Sequence, residues 1–268
     1  MESAVRTFVR RTGAIEMSDV TLDLVQGFFY EGREKHQWGF WCFSNYHKYL
    51  KKFFGWCVSQ GHMAENPLLA IGLPARPQKL PRRLSFEEAQ RILYSAFNIT
   101  WQYEFERTRN HAIIAMLLYT GLRAQELLNL EVTDLDLRSG SLLVRRGKGA
   151  KDRYVPLHFK LRYVLKRYLG DRQRLRKESP FLFTGVRSGK PLGYKDLRRV
   201  CRRVSKETHV SFTPHQLRHT FASVSIDQGM GLTQVKEILG HSNIASTMIY
   251  VRLSTRSLRD GLNKIDLF

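Results

Sequence analysis

At 268 residues, with 43% apolar side chains, the chain can fill one large or two modest cores, which excludes a disordered polymer. Its 44 Lys and Arg against 24 Asp and Glu give a formal charge of +20 and a pI near 10.2, so a polyanionic partner is expected, since neutralised phosphates release condensed counterions. Charge alone fits DNA, RNA or an anionic membrane, and most of the excess lies late in the chain: residues 1–80 carry 10 basic and 7 acidic side chains, residues 81–268 carry 34 and 17.

Residues 1–75 read as helical. In WGFWCFSNYHKYLKKFFGWC, Trp38, Trp41 and Phe53 with Tyr46, Tyr49 and Trp56 recur at helical spacing, while Lys48, Lys51 and Lys52 take another face. The aromatics are expected in the core of a small bundle, ahead of a base-stacking role, and the lysines on its basic side as phosphate contacts. Asn66-Pro67 breaks the pattern, and LPARPQKLPRR, with three prolines among basic residues, reads as a linker. The chain thus divides into residues 1–76, a linker over 77–83, and residues 84–268.

Ser85 followed by Glu88 is a capping box, so a helix starts there and spans residues 85–97. Another spans residues 109–119, apolar on most sides; Gly121 ends it, and Arg123 opens a short helix reaching Leu130. The period then changes from helical to alternating. Val132, Leu135 and Leu137, the turn at Ser139-Gly140, SLLVRR, the turn GKGAKD and RYVPL make a three-stranded antiparallel sheet. Lys148 sits in the second hairpin turn, where Gly147 and Gly149 permit tight backbone geometry. Helices return over residues 158–168, 194–208, 214–229 and 233–239, with a further segment leading to Tyr250. Arg198, Arg199, Arg202 and Arg203 line the second of these as a groove-facing or backbone-facing strip. The expected fold class is mainly α with a small three-stranded antiparallel β-sheet, in two domains.

Several chemistries drop out. Cys42, Cys57 and Cys201 are scattered and lack CxxC spacing, which argues against a disulfide framework or zinc ribbon and suits a reducing cytosol. The segment MESAVRTFVRRTG has no apolar signal core, and the longest apolar stretch, residues 112–122, is too short to span a bilayer, so a soluble, cytoplasmic protein is expected. GVRSGKP is a residue short of a Walker loop and lacks Ser or Thr after Lys190. His215 and His219 have zinc-like spacing, but Gln216 replaces the glutamate of a zinc protease. A two-metal nuclease needs converging carboxylates, and Asp227 and Glu237 are lone acids.

What remains is a dispersed polar set: Arg123 in TGLRAQELLNL, Lys148 in RRGKGAKDR, His215 and Arg218 in TPHQLRHTFA, and His241 and Tyr250 in LGHSNIASTMIY. Phosphodiester transesterification places excess charge on non-bridging oxygens, and two guanidinium forks match those oxygens as lysine cannot. It also needs a nucleophile that leaves a reversible link and an acid for the departing 5′ oxygen. Tyrosine and lysine both titrate near about 10 when unperturbed, and neighbouring guanidinium charges favour phenolate and neutral amine. Each residue singly has an ordinary explanation; their order and spacing make the pattern specific.

TGLRxxEL, the lysine turn, HxLRH, LGH and the following tyrosine, in this order, resemble the tyrosine recombinase family of phage-integrase and Xer type over residues 84–252. Residues 1–76 are similar to its helical core-binding domain, and residues 84–268 to its catalytic domain. The resemblance implies Tyr250 as the nucleophile forming a 3′-phosphotyrosyl DNA intermediate, with Arg123 and Arg218 clamping the scissile phosphate. It implies Lys148 as general acid, ahead of Lys151, with His215 assisting proton transfer at the nucleophile, His241 hydrogen-bonding the phosphate and Glu126 buttressing the site. No metal is implied, and because the phosphotyrosyl link conserves bond energy the joining step needs no ATP or other high-energy cofactor. The implied partner is double-stranded DNA with a specific recombination site. A homo-tetramer, or a pairing with a second recombinase, would act on two duplexes through a Holliday junction. The tail with Leu258, Leu262 and Phe268 is expected to dock on its own domain or on a neighbouring protomer. Arg252 stands where many relatives carry His, and the short N-terminus, without an arm-binding domain, favours an Xer-like role in dimer or cointegrate resolution, integration or excision. The alternatives are a relaxing topoisomerase of the same chemistry and a non-catalytic DNA-binding protein.

Overall fold

Apolar periodicity and well-formed caps fix the helices that carry the architecture. A computed structural model describes residues 1–75, 77, 82–145, 152–187 and 189–240. The chain divides into two units, Met1–Lys79 and Leu80–Phe268.

The first unit consists of α1 (Glu2–Thr12), α2 (Leu22–Glu34) and α3 (Phe40–Ser59). The Thr21 hydroxyl accepts from the Leu24 N–H and so caps α2, satisfying one of the amides that a helix start leaves without a partner. Phe8, Phe28, Phe29, Phe43 and Phe54 form the aromatic core, with Phe8, Phe28, Phe29 and Phe54 meeting edge-on and Phe43 tilted against Phe29. A side chain at Gly32 would put its Cβ 2.2 Å from the Trp38 ring, so glycine is what lets that indole settle and stack on Tyr46 at 4.4 Å.

Here the expectation of six core aromatics needs correcting. The buried stripe of α3 is Phe43, His47, Leu50, Phe54 and Cys57. Trp38, Tyr46 and Phe53 pack beside it, whereas Trp41, Tyr49 and Trp56 are 60, 39 and 53% exposed. Trp38, just before the helix, keeps phase with Tyr46 and Phe53, while Trp41, Tyr49 and Trp56 each come three residues later, and only one of the two stripes can face the core. Lys48 and Lys52, exposed too, share the outer face with the second stripe rather than taking a face of their own.

The second unit runs α4 (Phe86–Asn98), α5 (Glu104–Thr120), α6 (Ala124–Leu128), β1 (Leu135–Asp136), β2 (Ser141–Val144), β3 (Arg153–Pro156), α7 (Phe159–Arg174), α8 (Tyr194–Thr208), α9 (Pro214–Asp227) and α10 (Leu232–Leu239). The Ser85–Glu88 capping box starts α4. α5 begins earlier than the apolar pattern indicated, because Glu104 and Glu106 complement the helix dipole in its first turn. It is the central helix, buried along Ile113, Ile114, Met116 and Leu117, and packs against α4, α7 and α9.

The sheet is antiparallel in the order β1-β2-β3, with the paired Leu142 and Val155 facing the core. Val132 lies in a 3-10 turn, not a strand, since Glu131 and Asp134 bond across Val132–Asp134. α7 runs past its expected end because Arg172 points inward, 5% exposed, and donates to the carbonyls of Leu182, Lys177 and Ser179. Among the described residues no helix is long and apolar enough to cross a membrane.

Candidate active site

The site forms where α5 stops. Gly121 takes φ +61, and a Cβ there would lie 2.4 Å from Phe221 Cδ1 and 2.7 Å from Leu239 Cδ2. A glycine in the left-handed region ends the helix without strain. The Gly121 carbonyl then accepts from Arg218 Nη1 at 2.7 Å. Two residues later Arg123 precedes α6, and Glu126 on the first turn of that helix returns to accept the Arg123 backbone N–H at 2.9 Å and Nη1 at 2.7 Å.

α9 brings up the other side. Its start is set by Thr213, whose hydroxyl accepts from the Gln216 N–H, and by Pro214 in the first turn. His215 stays exposed on that turn, whereas Arg218, one turn on, is 2% exposed. Arg218 Nη2 donates to the Leu239 carbonyl at 2.8 Å, and its Nη1 lies 3.9 Å from Glu126 Oε2. Arg123 Nη2 donates to the Gly240 carbonyl at 3.3 Å. Arg123 and Arg218 therefore meet at one carboxylate and at one helix end.

A third guanidinium joins them. Arg153, the first residue of β3, donates Nη1 and Nη2 to Glu126 at 3.1 and 2.9 Å and Nε to the Ile238 carbonyl at 2.8 Å. The last two carbonyls of α10, those of Ile238 and Leu239, and that of its C-cap Gly240 are thus met in turn by Arg153, Arg218 and Arg123. A helix end leaves such carbonyls without intrahelical partners and carries a partial negative charge, which suits cations. Three guanidinium charges face one carboxylate and a helix terminus of about half a charge, leaving a surplus of roughly 1.5 positive charges.

Two titration shifts follow from this crowding. Burial pushes the Glu126 carboxyl up, but the Arg153 hydrogen bonds, the Arg123 backbone N–H and the Arg153 charge outweigh it and bring its pKa down to about 2. Desolvation of the ring and then the charges of Arg218 and Arg123 hold His215 below the ordinary histidine range. His219 stands with its ring 4.2 Å from that of His215 and is lowered to about 4, by desolvation first and then by His215 and Arg218.

Of the residues expected from sequence, Arg123, Arg218 and His215 are brought together here, with Glu126 beneath the pair. Lys148, Lys151, His241 and Tyr250 lie outside the described residues. Arg153 was not singled out from sequence; its signal is that strand alternation sets it on the inward face with Val155, an unusual place for arginine.

The profile of the phage integrase family matches residues 82–256, which contain the Arg123, Arg153 and Arg218 cluster. The chain belongs to the phage integrase family. Among its relatives, the tyrosine recombinase XerA of Pyrococcus horikoshii is 34% identical over 196 residues, covering 72% of this chain and 65% of that protein. The chain therefore spans just under two thirds of that relative's length. The tyrosine recombinase XerC of Bacillus licheniformis is 34% identical over 217 residues, covering 78% of this chain and 69% of that one. A crystal structure of XerA recombinase matches with a TM-score of 0.60 at 28% identity, over 97% of this chain and 88% of the other. This integrase-family chain is mainly helical with a small three-stranded antiparallel sheet, and its fold matches that of the XerA crystal structure over most of both chains.

Proposed function

We propose that this chain is a site-specific DNA recombinase that cuts and rejoins strands by tyrosine transesterification. The observation that supports it most is the meeting of Arg123 and Arg218 over one carboxylate, beside a histidine held toward its neutral form. Arg123, 29% exposed in its side chain, is the arm open to a scissile phosphate, and Arg218 is the floor beneath it. Their charge matches what accumulates on the non-bridging oxygens in the transition state.

Tyr250 Oη attacks phosphorus while neutral His215 accepts its proton; the P–O5′ bond breaks, and Lys148 gives a proton to the departing 5′ oxygen. His241 donates to a non-bridging oxygen. A 5′ hydroxyl from another strand reverses the sequence, and no external energy source enters, because the phosphotyrosyl bond replaces the phosphodiester. The partner is double-stranded DNA with a specific site, taken by four protomers or with a second recombinase, and exchanged through a Holliday junction in the cytoplasm. The first unit serves as a core-binding domain.

The test is a nicked suicide duplex carrying the sequence that the purified chain selects from a randomised duplex pool. The wild-type chain should form a covalent adduct, and Tyr250→Phe should bind the same duplex and form none. Equal adduct from the variant would refute the assignment. Relaxation of plasmids without exchange between two sites would favour a topoisomerase instead.

A further inference from the structure

Resting on the recombinase reading above, we infer that Arg153 is a positioning residue: it locks the Glu126 carboxylate and the end of α10 so that Arg123 and Arg218 present their guanidinium groups to one phosphate. Its side chain, 11% exposed, is turned toward protein rather than solvent.

The argument is geometric. Glu126 is shared by three arginines, and its two oxygens cannot satisfy all of them in arbitrary orientation. Arg153 contacts both oxygens at once through a planar fork, which fixes the rotation of the carboxylate about its own axis. With that rotation set, Oε1 points at Arg123 Nη1 and Oε2 at the Arg123 backbone N–H. Removing Arg153 frees the carboxylate to turn toward the cations that remain, drawing the Arg123 fork with it.

A second contact acts on the face of the same guanidinium. A Cβ on Gly240 would lie 3.0 Å from Arg153 Nη1 and 3.1 Å from its Cζ and Nε, so the guanidinium lies flat against this residue. Gly240 has φ +62, and its carbonyl is the one that Arg123 caps. Arg153 thus sets both the acid and the backbone carbonyl between which Arg123 is held. Lysine cannot replace it, since one ammonium cannot reach two carboxylate oxygens in one plane and a carbonyl on another side.

The experiment uses the full chain and the pool-selected suicide duplex, with Arg153→Gln, Arg153→Lys, Glu126→Gln and the Arg153→Gln/Glu126→Gln double variant. Three quantities are read for each: duplex affinity, the single-turnover rate of covalent adduct, and the melting temperature. Arg153→Gln should bind the duplex within about threefold of wild type yet form adduct about 10- to 100-fold more slowly, the scale of a misplacement near 1 Å. Arg153→Lys should remain at least about tenfold slow, and in the Glu126→Gln background the Arg153 change should add less than about twofold, because the two act through one contact.

If Arg153→Gln does not fold, Arg153→Lys decides: slow adduct at wild-type affinity supports the inference, and a wild-type rate overturns it. Wild-type cleavage by Arg153→Gln, effects that multiply in the double variant, or equal losses of affinity and rate would also overturn it. A wild-type chain that makes no adduct would instead sink the recombinase reading, and this inference with it.

Discussion

Replacing Glu126 with glutamine keeps the shape of the hub and removes its charge, which makes it the sharpest probe of the arginine cluster. The carboxyl pKa falls from an ordinary 4.5 to about 2 in the folded chain. At about 1.4 kcal/mol for each unit of difference, the ionised form contributes about 3 kcal/mol. The cost of removing one partner from a buried ion pair gives a similar figure, about 3–5 kcal/mol. Because the folded pKa is depressed, the contribution is complete above the unfolded value of 4.5 and is lost as pH falls through about 2. For a unit of this size each kcal/mol moves the melting temperature by about 2–4 °C, so Glu126→Gln should melt about 6–12 °C lower at neutral pH. The gap to wild type should shrink to less than half by about pH 3. Calorimetry at the two pH values decides. A neutral-pH gap under about 1 °C, or one unchanged in acid, would mean that the carboxylate does not hold the cluster together electrostatically.

Three further sets of substitutions have definite expected outcomes. Gly121→Ala combines a left-handed backbone with a Cβ inside van der Waals contact of Phe221, and should lower stability by about 2–5 kcal/mol in urea denaturation. Gly170→Ala, in α7 with nothing within 4 Å, should gain up to about 1 kcal/mol, and a loss at that position would undo the packing argument. Trp41→Ala with Trp56→Ala should leave melting within about 0.5 kcal/mol of wild type, since both rings are exposed. Their loss should weaken duplex binding by about 1 kcal/mol or more if the rings stack on a nucleic acid partner, measured by fluorescence anisotropy; unchanged affinity would leave that face without a nucleic acid role.

Much of the second unit could be read from sequence because its punctuation is local. Ser85 and Glu88 announce a helix start, Gly121 a stop, and the change from helical to alternating period marks the sheet. Arg123 and Arg218 could be nominated together because TGLRAQEL and HQLRH carry them in an order and spacing that two phosphate-clamping guanidinium groups require. Arg153 escaped notice for the opposite reason: its partners lie 27 and 85 residues away, and nothing in RYVPL hints at either. The two aromatic stripes of α3 were not separable either, because helical spacing reports periodicity without saying which phase faces the core.

Apart from the Glu126 carboxylate, the three arginines are anchored on carbonyls of the main chain. Substituting half-buried Ile238 by another residue that keeps α10 docked and ending at Gly240 leaves its carbonyl in position, whereas Leu239, fully buried, also seats the helix end by its side chain. The site's charge geometry is therefore insulated from side-chain drift at Ile238 and exposed to changes in the length of α10: one inserted or deleted residue there would shift all three anchors together.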